Sequence, residues 1–268
     1  MIQIMGARPC ADFDLDQPPP ARRPEDASMT VFAHTSVAQR SCSHVACAAC
    51  ALRNFCLASC DTATAEGGFN RRRLRTGETL FQKGDTQLAL YAVRAGFLKT
   101  CAVLPNGERR ILGYHIMGDV LGLDAIGAGV HPTEAVALNG CEVCEIMLER
   151  ADRLITAGNG LGTYLRRLLS EQIARNEEHM VALGAFSARQ RVAAFLLDLA
   201  ERWSIRGYSP SQFELCLTRK EIGSYLGLTF ETVSRTLSYF ASREWINVAG
   251  RDIHIRDREA LQAQSASD

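Results

Sequence analysis

The sequence predicts an α+β fold in four consecutive parts: a cysteine-rich segment, an antiparallel β-roll, one long helix and a C-terminal winged helix-turn-helix. Three observations carry this prediction. Five of the chain's ten cysteines fall within the nineteen residues from Cys42 to Cys60. Between Leu74 and about Glu149, short Val/Ile/Leu-rich runs are broken by turn signals at intervals mostly near 8 to 12 residues, the cadence of antiparallel strands closing on themselves. From Gly160 onward the apolar residues recur at helical spacing instead.

Composition bounds the function. At 268 residues, 47% hydrophobic and 22% charged, the chain is long enough for one large or two modest cores. No apolar run approaches the roughly 20 residues of a membrane span, and the start lacks the basic-then-apolar layout of a secretory signal. We therefore expect a cytoplasmic protein without membrane contact, whose cysteines serve as thiols rather than as a disulfide framework. Formal net charge is zero, so any contact with nucleic acid must come from a local patch.

Residues 1–40, with Pro18, Pro19, Pro20 and Pro24 and no sustained period, read as a flexible tail. Met29 within it is an alternative start. Residues 41–73 form the cysteine-rich segment, where Cys47, Cys50 and Cys56 read C-x2-C-x5-C. Such spacing brings several sulfurs to one point, as a thiolate-bound metal centre requires. Spacing alone does not separate four thiolates on zinc from four on an iron–sulfur cluster.

Residues 74–158 form the roll. Its turn signals are Thr76-Gly77, Lys83-Gly84-Asp85, Ala95-Gly96, Pro105-Asn106-Gly107, Met117-Gly118-Asp119 and Asn139-Gly140. Residues 159–185 form the long helix. Leu165, Leu169, Ile173, Asn176, Met180 and Leu183 step by 4, 4, 3, 4 and 3, a narrow seam suited to a partner helix and hence to a homodimer. Glu177 beside the seam would face its twin and make association conditional.

Residues 186–268 form the winged unit. Ser187 to Ala200 is an amphipathic helix. Thr218 and Glu221 fit a capping box and Gly227 a tight turn; Thr229 caps a second helix to about Phe240. Ile222, Leu226, Val233 and Leu237 form the buried side of the pair, and Trp245 to Ile255 a hairpin behind it. Opposite Val233 and Leu237, the second helix presents Glu231, Ser234 and Arg235. Arg suits guanine O6 and N7, Glu a cytosine amino group, and Ser either partner. Between Leu217 and Arg256 six basic residues face four acidic ones, a weak local surplus.

This order of parts resembles the FNR class of the CRP/FNR transcription regulators, over about residues 42 to 260. Cys47, Cys50 and Cys56 match the family's N-terminal ligands, and Cys144, in CEVCEI, its distant fourth ligand. Leu123-Asp124-Ala125-Ile126-Gly127, Gly129 and His131-Pro132 match its DAIGxGxHP stretch. Glu231, Ser234 and Arg235 match its Glu-x-x-Ser-Arg signature. The resemblance implies a roll of the cyclic-nucleotide-binding kind and an oxygen-labile [4Fe–4S] cluster, one per subunit. It further implies a dimer favoured by that cluster, a TTGAT-type inverted repeat as target, and contact with RNA polymerase, for which Gly107-Glu108 at a roll turn is the candidate. Cys10, Cys42, Cys60, Cys101, Cys141 and Cys216 receive no assigned role; strand alternation places Cys141 on the face opposite Cys144.

Three other readings compete. Cyclic-nucleotide relatives hold the phosphate and ribose with a Gly-Glu-Leu turn and a later Arg-Ser. Here Asp119-Val120-Leu121 and His131-Pro132 stand near those places, and the cation is missing, so no cyclic nucleotide is expected. A structural zinc or thiol-redox site would use the same cysteines. An enzyme would need a nucleophile–base pair or a phosphate-cradling loop, and none is visible.

Overall fold

The structure is a computed structural model that describes residues 70–156, 158 and 160–266. The tail, Met29, Cys47, Cys50 and Cys56, with Cys10, Cys42 and Cys60, lie outside the described residues.

The roll consists of two antiparallel four-stranded sheets. One has the order β1 (Asn70–Leu74), β8 (Cys141–Met147), β3 (Ala89–Ala95), β6 (Val120–Leu121); the other β2 (Thr79–Phe81), β7 (Glu134–Ala137), β4 (Leu98–Val103), β5 (Arg109–His115). Strand β1 starts four residues ahead of Leu74, where strand character first becomes legible. Its Arg71, Arg72 and Arg73 are ion-paired across the sheet to Glu142 and Glu145. A charged strand on a sheet's outer face carries no apolar alternation to read.

Inside the roll, Leu74, Leu80, Phe81, Val93, Leu98 and Val143 pack together. His131 joins them at 1% exposure, its ring stacked on Phe81 at 3.7 Å. Burial depresses its pKa. A short helix, α1 (Leu148–Thr156), leads to the long helix α2 (Leu161–Ala185).

The winged unit opens on α3 (Ala188–Ile205), capped by Ser187 and Gln190 in a reciprocal box. The reading motif follows as α4 (Arg219–Leu226) and α5 (Phe230–Ser242). The wing has three strands, not two, in the order β10 (Ile246–Ala249), β11 (Asp252–Ile255), β9 (Gln212–Glu214). A last helix, α6 (Arg258–Ala266), packs on α3 through Leu261. Neither β9 nor α6 is predicted, because one has three residues and the other a single buried anchor. Among the described residues no helix is long and apolar enough to cross a membrane.

The largest apolar cluster crosses the boundary between roll and winged unit. Phe97, Tyr114 and Ile116 of the roll pack with Val192, Phe195, Leu196, Leu199 and Trp203 of α3. His115 lies at this boundary, its Nε2 3.1 Å from the Thr100 hydroxyl. Burial lowers its pKa to about 4; Asp119 opposes the shift, and Arg202 and Arg175 add to it. Below the ordinary value near 6.5 the unfolded chain takes up a proton that the folded chain refuses. Stability should therefore fall as pH drops from about 6.5 to about 4, by at most about 3 kcal/mol from this group. Thermal melts of the native chain and of His115→Gln between pH 7 and 4.5 would check this: the variant should lose less stability on acidification.

Candidate nucleic-acid interface and cysteine site

The reading motif is built by short-range rules. Thr218 accepts from the Glu221 N–H (3.2 Å) while the Glu221 carboxylate accepts from the Thr218 N–H (2.8 Å), which starts α4. Gly227 ends it at φ 65°, in the left-handed region that favours glycine. Gly223 lets the turn close on the helix: a Cβ there would stand 2.6 Å from the Leu228 carbonyl oxygen. Thr229 caps α5 by accepting from the Thr232 N–H (3.2 Å). Ile222, Leu226, Val233 and Leu237 are all buried, as the pattern predicts.

On the other side of α5, Glu231 and Arg235 are exposed and Ser234 is half-buried. The Glu231 carboxyl is held below its usual pKa, first by its own backbone N–H, then by the Thr229 hydroxyl, with Arg235 adding. The Arg235 Nε donates to the Glu231 carbonyl (3.4 Å). The Ser234 hydroxyl is buried and has no hydrogen-bond partner among the described residues. Of the three side chains the sequence assigns to base reading, Glu231 and Arg235 thus share one accessible strip at the start of one helix, while the Ser234 hydroxyl between them is covered by the protein.

The other assigned residues divide between contacts within the chain and open surface. On α2, Leu165 is buried with Leu161 against the roll, and Leu169 is half-buried. Ile173 and Met180 are 57% and 63% exposed. Asn176 is exposed and accepts from the Gln172 amide (2.9 Å). Leu183 reaches toward its own reading motif, with a methyl 3.3 Å from where a Cβ on Gly227 would stand. The seam is therefore packed into its own subunit at Leu165 and open from Ile173 onward, with Leu183 beside the reading motif and still 37% exposed.

Cys144 lies on β8 opposite Arg71 and Ala92, at 3% exposure. It shares a small apolar cluster with Leu90, Ile146, Leu161 and Leu165, so its neighbourhood includes the root of α2. Cys141 belongs instead to the roll interior, as alternation requires. Its thiol donates to the Phe97 carbonyl (2.9 Å), and burial pushes its pKa up to about 11. Burial likewise raises the Cys101 thiol. Both thiols stay protonated near neutral pH.

A group missed by sequence reasoning ties the two units together. Asp119, in the turn after β5, receives Arg202 of α3 and Arg206, which caps the C-terminus of that helix, on its two carboxylate oxygens. Burial alone would raise the Asp119 pKa, but Arg202, Arg206, His115 and the Ile116 N–H outweigh it and leave it lowered. No local signal exposes the trio, because the partners lie 83 and 87 residues apart in sequence.

Residues 71–157 match the cyclic nucleotide-binding domain model and residues 190–264 the Crp-like helix-turn-helix domain model. The chain is 40% identical over 193 residues to the fumarate and nitrate reduction regulatory protein of Salmonella typhimurium, covering 72% of this chain and 77% of that protein. The same named protein of Escherichia coli K12 is 40% identical over 191 residues, 71% of this chain and 76% of the relative. The chain belongs to the CRP/FNR family. The solved structure of FixK2 from Bradyrhizobium japonicum superposes on this CRP/FNR regulator with a TM-score of 0.68 at 28% identity, covering 75% of this chain and 98% of that one. As a CRP/FNR protein the chain is a dimeric, DNA-binding transcription regulator and not an enzyme.

Among the described residues no group of three or more His, Cys, Asp or Glu side chains is placed to hold a metal, and Cys144 contributes one thiol. The described chain begins at Asn70, opposite Glu145 and one residue from the partner of Cys144. Cys56 is fourteen residues before Asn70, a span that reaches up to roughly 50 Å.

Proposed function

We propose that this regulator responds to oxygen, binding an inverted repeat of the TTGAT type as a dimer when each subunit holds a [4Fe–4S] cluster. Cys47, Cys50, Cys56 and Cys144 are the ligands, and Glu231, Ser234 and Arg235 read the bases. The observation that carries this reading is the position of Cys144, packed in one apolar cluster with Leu161 and Leu165 at the root of α2. That helix continues into the exposed Ile173 and Met180, which in water expose apolar surface that a twin helix would bury.

When bound, the cluster supplies a covalent tie between the N-terminal segment and the roll, and a chemical target for oxygen. The protein supplies the rest. Cys144 fixes one end of the tie to β8. Leu161 and Leu165 couple that strand to α2, and Ile173, Asn176 and Met180 present the seam. Two reading helices held by one rigid body bind two half-sites far better than one does, so a modest gain in pairing becomes a large gain in occupancy. Homology to regulators named for fumarate and nitrate reduction supports the assignment to growth without air. The exposed β4–β5 tip at Gly107 and Glu108 is the candidate contact with RNA polymerase.

Airless purification tests the cofactor. A coloured protein with about four iron and four sulfide per chain is expected. A colourless one carrying a single zinc would replace the oxygen-sensing reading with a structural zinc site. Arg235→Ala tests the reading strip: it should cost about 1–3 kcal/mol of discrimination at one base pair. Competition between matched and singly altered half-sites measures that loss, and an undiminished preference would remove Arg235 from base reading.

A further inference from the structure

We infer that Asp119, Arg202 and Arg206 are positioning residues that set the half-site spacing this dimer accepts, by clamping each reading domain to its own roll. The inference rests on dimeric DNA binding and is independent of the cofactor.

The clamp is buried and many-stranded. The Asp119 carboxylate accepts from the Ile116 N–H at 2.8 Å, from Arg202 on one oxygen and from Arg206 on the other at 2.6 Å. All three side chains are 10–13% exposed. Arg202 also donates to the Tyr114 carbonyl (3.2 Å), and Arg206 to the carbonyls of Met117 and Arg202. Gly118, at φ 96°, leaves room for this: a Cβ there would stand 2.8 Å from the Arg206 Nε. The arginines therefore grip both the carboxylate and the backbone of the turn that presents it. Fork-shaped donors on a carboxylate fix orientation as well as distance.

A second, smaller clasp lies about the reading motif itself. Lys99 of β4 pairs with Glu221 at 2.6 Å, and Glu221 is the capping residue of α4. The Ile111 N–H of β5 donates to the Ser224 hydroxyl of α4 (3.1 Å). Between the two clasps Tyr114 donates to Asp198, and Phe97 and Trp203 meet in the shared core. Between α2 on one side and the roll and reading domain on the other lies a cleft of about 590 Å³, with Asp119 and Arg202 in its wall, and here the His179 ring of α2 stacks on Tyr225 at 4.1 Å. The roll, more than the dimer helix, thus orients α5.

The consequence is geometric. In the dimer two α5 helices must meet two half-sites at once, and adding or removing one base pair turns a half-site by about 35° and shifts it by roughly 3.4 Å. A rigidly clamped pair pays for that mismatch in affinity; a loosened pair follows it.

The test uses the full-length chain at concentrations where sedimentation shows a dimer. Affinity is measured on the best-spaced inverted repeat and on duplexes one base pair longer and shorter. The native protein should prefer the best spacing by about 10-fold or more, and Asp119→Asn should reduce that ratio to about 3-fold or less. Preference between matched and singly altered half-sites should stay as it was. Should Asp119→Asn fail to fold, Arg206→Gln, which keeps the Asp119–Arg202 pair, should lower the ratio in the same direction. An unchanged spacing ratio in the folded variant overturns the inference, as does equal weakening on all three duplexes, the result of a merely structural role.

Discussion

In the absence of air, Cys144→Ser should bind a matched inverted repeat about 100-fold more weakly than the native chain, close to the affinity of the native chain after exposure to air. In the proposed site, three thiolates from the N-terminal segment are joined to the roll through the fourth on β8. The expected loss is the avidity that a second half-site adds, and sedimentation should show the matching loss of dimer. Cys144 is also a buried small side chain among Leu90, Ile146, Leu161 and Leu165. A serine hydroxyl there costs about 1–3 kcal/mol by itself, so Cys144→Ala belongs beside it as the apolar control. Both variants should fall together in airless iron content and in DNA affinity. Cys141→Ser should keep its iron, because Cys141 faces the roll interior and donates to the Phe97 carbonyl. Full airless affinity in Cys144→Ala would exclude this cysteine as a necessary ligand.

Gly96→Ala should destabilise the roll by about 2–5 kcal/mol, lowering its melting temperature by roughly 10 °C. Two costs add. At φ 84° the residue sits in the left-handed region, which costs a side-chain-bearing residue about 1–2 kcal/mol. A Cβ there would also stand 2.5 Å from the Gly140 carbonyl oxygen and 2.6 Å from the Cys141 sulfur. The first of these is backbone and cannot swing away, so strands β3 and β8 must part by the difference, at about 1–3 kcal/mol. Gly107→Ala is the comparison, since it has φ 80° and nothing within 4 Å of its Cβ. It should show the backbone cost alone, about 1–2 kcal/mol. Equal losses in thermal melts would show that the close approach at Gly96 contributes nothing.

Much of the reading unit was legible because its signals are local. Thr218 and Glu221 are three residues apart, Gly227 follows directly on α4, and Thr229 directly precedes α5. Capping, turn and helical period all act within one or two turns of chain, and here they agree. Strand alternation placed Cys141 and Cys144 on opposite faces for the same reason. Less was legible where a residue's role depends on a distant partner. Strand β1 was obscured by arginines whose partners, Glu142 and Glu145, come about 70 residues later. Leu165 and Leu183 share the helical period of Ile173 and Met180, yet they touch their own subunit.

By itself the sequence determined where the reading helix begins and ends, which of its faces is buried, and that Cys141 and Cys144 lie on opposite faces of one strand. These follow from bond geometry and hydrogen bonding over a few residues. Tertiary structure alone decided that Cys144 packs at the root of the long helix, and that Asp119 receives two arginines from the C-terminal end of α3 and its cap. Such partners are chosen by the packing of whole elements against one another, which no spacing along the chain records.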